Sequence, residues 1–227
     1  MSSLKLKHSG GNSVSIAAPS SNPASNRTLT VPSNADGTIL TSTSGSSLQV
    51  LEQFYLLADG RSVSTSNGTV TTTNVTATQA LTDSFVAATG SALTYQPPTG
   101  TTELIYEYKF MFDEDNSNNR YLFSYYVDID GTTILESRGG AYTGNDTYND
   151  YHYIKYGFRI GSGSDNATTG DRASWSSNKT ISLKIARYSS SYAVDLHRIR
   201  YYTPNSTSAD NIIRRPYVGI TAIGVPS

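Results

Sequence analysis

The densest set of oxygen ligands in the 227-residue chain is Asp113-Glu114-Asp115-Asn116. Convergent oxygens are what a hard cation such as calcium requires. The run lacks the sixth-position glycine and the distal glutamate of an EF-hand loop. It falls between two strong strand patterns, so it reads as a solvated hairpin loop without a metal. The three histidines, His8, His152 and His197, show no His-Glu-x-x-His spacing. His152 and His197 lie inside strand patterns and are expected to be packed rather than catalytic. Serine and aspartate are abundant, but no Gly-x-Ser-x-Gly elbow presents a nucleophile. Glu107, Glu136 and several aspartates could supply the carboxylate pair of a glycosidase, yet no spacing selects two of them. Gly161-Ser162-Gly163-Ser164 lacks the Lys-Ser/Thr ending of a phosphate loop. The expectation is a protein that is not an enzyme, with no catalytic residue and no cofactor.

Tyrosine is the other residue type that could do chemistry, by binding. The chain has 17 tyrosines and one tryptophan. A tyrosine covers apolar area while offering a hydroxyl to water or a partner, and its ring can stack on a sugar. Many of these tyrosines fit half-buried strand positions, where β-propensity alone places them. Tyr142 and Tyr148 instead lie in the polar run Gly139-Gly140-Ala141-Tyr142-Thr143-Gly144-Asn145-Asp146-Thr147-Tyr148, and are the candidate ligand-binding pair.

The elements that must position these residues read as strands. Leu104, Tyr106, Tyr108, Phe110 and Phe112 share one face, with Glu107 and Lys109 on the other. Tyr121, Phe123, Tyr125, Val127 and Ile129 repeat the pattern, and Asp130-Gly131 supplies a hairpin turn before a return from Ile134-Leu135. His152, Ile154, Tyr156, Phe158 and Ile160 alternate with Tyr153, Lys155 and Arg159. Ile181, Leu183 and Ile185 mark another strand, Tyr192, Val194, Leu196 and Ile199 to Tyr201 the next, and Val218, Ile220 and Ala222 the last. Upstream, Leu48 to Leu57 is an apolar block that periodicity leaves open between strand and short helix, and Thr69 to Thr76 reads as an exposed strand. With room for about eight to ten strands, residues 48–227 are predicted to form an antiparallel β-sandwich or jelly-roll head.

Residues 1–47 differ. Leu4, Leu6, Val14, Ile16, Leu29 and Val31 belong to short half-apolar strands separated by Gly10-Gly11-Asn12, Pro19, Asn22-Pro23 and Asp36-Gly37. So few apolar groups do not make a core within one chain, so this segment is expected to pair with sister chains or an attachment surface. The fold class is therefore all-β, a head preceded by an extended anchoring segment.

Composition agrees. Hydrophobic residues are 37% and charged residues 15%, low for an enzyme, and the difference is polar turn chemistry. A net charge of −1 provides no electrostatic footprint for nucleic acid or an anionic membrane. No cysteine is present, which excludes disulfides and thiolate sites. No run is long enough for a membrane span, and the opening residues contain no apolar stretch of a secretion signal.

Leu4-Lys5-Leu6-Lys7-His8-Ser9-Gly10-Gly11-Asn12-Ser13-Val14-Ser15-Ile16, followed by Arg27-Thr28-Leu29-Thr30-Val31-Pro32 and Ala35-Asp36-Gly37-Thr38, resembles the N-terminal module of fibre-like structural proteins of marine tailed phages. Leu51-Glu52-Gln53-Phe54, Tyr95-Gln96-Pro97-Pro98 and Ile220-Thr221-Ala222-Ile223-Gly224 resemble their head domain. Where those proteins continue with a Gly-Gln-x-Leu segment, this chain has Thr41 to Ser47. The resemblance implies a homotrimeric virion component, a tail fibre or capsid-decoration protein made in the host cytoplasm. Residues Leu4, Leu6, His8, Val14, Ile16, Leu29 and Val31 would then make the anchoring or subunit contacts to capsid or tail proteins. A competing reading makes the head a receptor module for host-surface glycan. A polysaccharide depolymerase is less favoured, because no β-helical repeat with paired carboxylates is visible.

Overall fold

The computed structural model describes residues 3–7, 10, 13–17, 48–114, 121–143, 149–202, 204 and 209–226. His8, Leu29, Val31, Asp115 and Tyr148 lie outside the described residues. The chain divides into two units, Met1–Thr41 and Ser42–Ser227. In the first, β1 (Ser3–Lys7) and β2 (Ser13–Ala17) form an antiparallel ribbon. Its register sets Leu4 opposite Ile16 and Leu6 opposite Val14, so the four apolar residues fall at positions of one face.

The second unit is built of strands. In chain order they are β3 (Gln49–Leu57), β4 (Ser62–Thr65), β5 (Gly68–Thr71), β6 (Gln79–Ala80), β7 (Val86–Ala87), β8 (Leu93–Tyr95), β9 (Thr101–Glu114), β10 (Tyr121–Ile129), β11 (Thr132–Thr133), β12 (Gly139–Thr143), β13 (Asn149–Arg159), β14 (Lys179–Arg187), β15 (Val194–Leu196), β16 (Arg198–Tyr202), β17 (Ala209–Ile213) and β18 (Tyr217–Gly224). Two antiparallel sheets face each other across one core. In the first, β18 lies between β3 and β9, β13 pairs the opposite edge of β9, and β15 takes over from β18 along the last residues of β9. In the second, β10 pairs β14, with β11 and β12 on its outer edge and β7 and β8 beyond β14. This is the predicted all-β antiparallel sandwich. Among the described residues no helix is long and apolar enough to cross a membrane.

The period-two patterns dictate the core. Leu104, Tyr106, Tyr108, Phe110 and Phe112 of β9 are all buried, and so are Phe123 and Val127 of β10 and Ile181, Leu183 and Ile185 of β14. Buried tyrosines keep their hydroxyls satisfied: Tyr106 donates to the Ser91 carbonyl at 2.7 Å and Tyr108 to the Thr89 carbonyl at 2.9 Å. Trp175 stacks on Phe158 at 5.5 Å and donates its indole N–H to the Tyr95 carbonyl. Asp130 and Gly131 take φ of 51° and 81°, the left-handed pair that a two-residue hairpin demands.

Four expectations are corrected. The return after Gly131 is only Thr132–Thr133; Leu135–Ser137 is a 3-10 turn, and pairing with β10 resumes at Gly139. Tyr142 therefore sits on a strand, not in a long loop. The Thr-rich stretch is strand only over Gly68–Thr71, and Val70, Thr72 and Val75 within it are buried. Asp113 and Glu114 belong to β9, and Asp113 is completely buried rather than solvated. The cause is the β16–β17 hairpin, which packs against the end of β9 and brings two arginines to that carboxylate.

Candidate binding face

The inward alternation of the first sheet leaves its outward positions to be read row by row. Leu57, Tyr217, Lys109 and Tyr153 are successive cross-strand partners on β3, β18, β9 and β13. The next row is Tyr55, Gly219, Glu107 and Lys155, and the one after it Gln53, Thr221, Ile105 and Gly157. With strands about 4.8 Å apart, the two outer strands stand about 14 Å from each other.

Four tyrosines are exposed on this face: Tyr55 at 45%, Tyr217 at 41%, Tyr151 at 48% and Tyr153 at 51%. Tyr55 and Tyr217 stack nearly parallel, 5.4 Å between centroids and 6° between planes. Gly219 makes room for the pair, because a Cβ there would stand 2.5 Å from the Tyr55 ring. On the other side Tyr153 donates its hydroxyl to Glu107, whose Oε1 also lies 3.7 Å from the Lys155 ammonium. The Lys109 ammonium lies 4.8 Å from the centre of the Tyr151 ring. Partial burial, followed by the charge of Glu107, pushes the Tyr55 phenol up to about 12. The hydrogen bond to Glu107 does the same for Tyr153. Both phenols therefore stay protonated and able to donate throughout the physiological range.

At one end of the face is a recess of about 330 Å³. Leu57, Met111 and Tyr217 give it apolar surface, and Lys109, Tyr151, Ile213, Arg214 and Arg215 complete its lining. The hairpin forms one wall, pinned from beneath. Nε of Arg198 and Nε of Arg200 lie 3.0 and 2.9 Å from the same oxygen of Asp113, and Arg198 also pairs with Asp195. Asp195 stands directly opposite Asp113 across the β15–β9 ladder, where two carboxylates would repel without those guanidinium groups.

His197 connects β15 to this hairpin in a left-handed backbone conformation, φ 65°. Its N–H donates to the Met111 carbonyl and its carbonyl accepts from Arg214 N–H. The side chain is fully buried, and burial holds the imidazole down at about 4, offset only partly by the Thr89 backbone. His152 packs against the rings of Phe110, Phe123 and Tyr125, and burial lowers it too.

The residues singled out from sequence fare unequally. Tyr142 is 60% exposed and meets Tyr192, which in turn meets Tyr188, in a separate aromatic cluster. Glu107 lies on the tyrosine face, whereas Glu136 lines a different recess with Glu103 and Asp171. Among the described residues no group of three or more His, Asp or Glu is placed to hold a metal ion. The tyrosine face itself was missed. Its signal lay in the outward alternation of Tyr151, Tyr153 and Lys155, but nothing local joins these to Tyr55 and Tyr217.

No family model matches the chain, and no curated protein matches it. Among solved structures it is similar to the CBM36-1 domain of a multidomain xylanase from the hindgut metagenome of Trinervitermes trinervoides, at 11% identity and TM-score 0.28, covering 74% of this chain and 96% of that one. It is similar to the structure of infectious bursal disease virus Gt strain at 10% identity and TM-score 0.35, covering 95% and 52%. The Mud Crab Dicistrovirus structure follows at 12% identity and TM-score 0.19, covering 99% and 91%. At these TM-scores the likenesses carry no argument about function.

Proposed function

We propose that the chain is a non-enzymatic structural component of a tailed-phage particle, and that the tyrosine face of its head binds saccharide on the host surface. The observation that carries the binding role is the stacked, exposed Tyr55–Tyr217 pair continuing into Tyr153, Glu107 and Lys155. Flat rings present apolar surface to a sugar ring, while the protonated phenols, the carboxylate and the ammonium exchange hydrogen bonds with its hydroxyls. A span of about 14 Å suits an oligosaccharide better than a single sugar.

The test is adsorption to host cells, and affinity for their isolated surface polysaccharide, with Tyr55→Ala and Tyr217→Ala combined. Loss of two central aromatic anchors is expected to weaken binding about 100-fold, with a lower but still cooperative thermal midpoint because both rings are more than half covered, so binding is measured well below it. Tyr142→Ala serves as the comparison. If it abolishes adsorption while the double variant adsorbs normally, the site is the Tyr142–Tyr188–Tyr192 cluster instead.

The virion role, and the homotrimer with it, rests on the resemblance of residues 4–38. The pairing of Leu4 with Ile16 and of Leu6 with Val14 supports it, since two short strands bury too little to be stable without a partner. Removing residues 1–47 is expected to leave a folded head that no longer incorporates into particles. Particle incorporation is read by immunoblot of purified virions, and normal incorporation would sink the anchoring role.

A further inference from the structure

The recess beside the tyrosine face differs from the rest of it in charge. Lys109, Arg214 and Arg215 converge on its rim, and among the described residues no carboxylate lines it. Glu107, the carboxylate of the adjoining row, is already engaged by Tyr153 and Lys155. Arg215 is oriented by a 3.0 Å hydrogen bond from Nε to the Val75 carbonyl, and Lys109 is held against the Tyr151 ring. These cations are not strewn over a surface: two have fixed neighbours, and the third leaves a hairpin whose base is fastened by buried ion pairs. Tyr217 belongs both to the stacked pair and to the recess, so a chain lying on the rings reaches the cations without a break.

We infer that this recess is an anion subsite, and that the saccharide read by the head carries a negatively charged substituent. The carboxylate of a uronic acid and a sulfate or phosphate ester share the chemistry required: oxygen acceptors for two guanidinium groups and an ammonium. Leu57, Met111 and Tyr217 set apolar surface beside those cations for the sugar ring that carries the charged substituent. The inference rests on the saccharide-binding reading and adds a substrate class to it.

The experiment measures binding of the full chain to dextran, dextran sulfate, alginate and poly-glutamate by affinity electrophoresis and calorimetry. Dextran and dextran sulfate share a backbone and differ in charge, alginate separates carboxylate from sulfate recognition, and poly-glutamate is an anion without sugar. Dextran sulfate or alginate is expected to bind at least about tenfold more tightly than dextran. The preference should shrink as salt rises, because exposed charges are screened. Lys109→Gln with Arg214→Gln should bring the acidic polymer down to the affinity of dextran, and Lys109→Arg with native Arg214 should keep the preference. Equal affinity for dextran and both acidic polymers overturns the subsite while leaving the saccharide face standing. So does an acidic preference that survives the double glutamine variant. Poly-glutamate bound as tightly as the acidic sugars also overturns it, since bare charge would then suffice. No binding to any polysaccharide overturns both the subsite and the reading beneath it.

Discussion

Replacing Asp113 with alanine is expected to destabilise the head by about 3–5 kcal/mol. Asp113 is fully buried, and one of its oxygens meets Nε of Arg198 and Nε of Arg200, both guanidinium groups being largely covered themselves. Removing the carboxylate takes the Asp113 counter-charge from two largely covered guanidinium groups, of which Arg198 keeps Asp195, and that costs far more than the pair contributes over an apolar substitute. Two further variants separate these terms. Asp113→Asn keeps size and one acceptor, and should fall between wild type and alanine. Asp113→Leu combined with Arg198→Met, Arg200→Leu and Asp195→Asn removes the whole charge cluster, Asp195 included because it pairs with Arg198, and should recover most of the loss. Urea unfolding followed by the fluorescence of Trp175, the one tryptophan in the sequence and buried against Phe158, gives the numbers. A quadruple variant no more stable than Asp113→Ala would show that the cost lies in packing and not in unpaired charge. Because the hairpin wall is fastened here, Asp113→Ala should also weaken binding at the recess.

Acidification is expected to remove about 3 kcal/mol of stability between pH 6.5 and 4, with His197 the main source. The unfolded imidazole titrates near 6.5 and the native one near 4. Within that window the unfolded chain binds a proton that the native head refuses, so stability falls as pH falls. Above the window both states are neutral, and below it both are charged, so the dependence flattens at either end. His152 is shifted in the same direction and adds to the slope. Asp171, held low by its hydrogen bonds to Arg159, acts only below the ordinary carboxylate value of 3.8, so the two effects separate on the pH axis. Asparagine tolerates the left-handed backbone at this position. His197→Asn should thus flatten the urea midpoint between pH 6.5 and 4. An unchanged slope in that variant would place the proton elsewhere.

The core was legible because its strands obey one period. The five residues from Leu104 to Phe112 announce a buried face without reference to anything else in the chain, and Asp130-Gly131 announces its turn through backbone chemistry. Asp113 was not legible. Next to Glu114 and Asp115 it looks like part of a solvated acidic loop, and what buries it are arginines 85 and 87 residues further on. The tyrosine face failed for a related reason. Tyr55, Tyr217 and Tyr153 become neighbours only when β18 enters between β3 and β9, and register between such distant strands leaves no local trace. Tyr142 drew notice through its polar setting, yet Gly139 and Gly140 serve there to pass under Tyr125 and the Phe123 carbonyl on a paired strand. Composition drew attention to tyrosine, but only pairing across the sheet decides which tyrosines share a surface.

The insertion of β18 between β3 and β9 also bears on how the head is made. A ribosome releases β3 and β9 more than a hundred residues before Tyr217 appears, and throughout that interval the sheet has an open slot where its neighbour belongs. Contacts of such sequence separation form late and slowly. A nascent chain that stops short of residue 217 therefore exposes two unpaired strand edges flanking the apolar residues meant for the interior, the kind of surface that chaperones and proteases engage. Closing that slot depends on β18 alone, so without it β3 and β9 each keep an open edge.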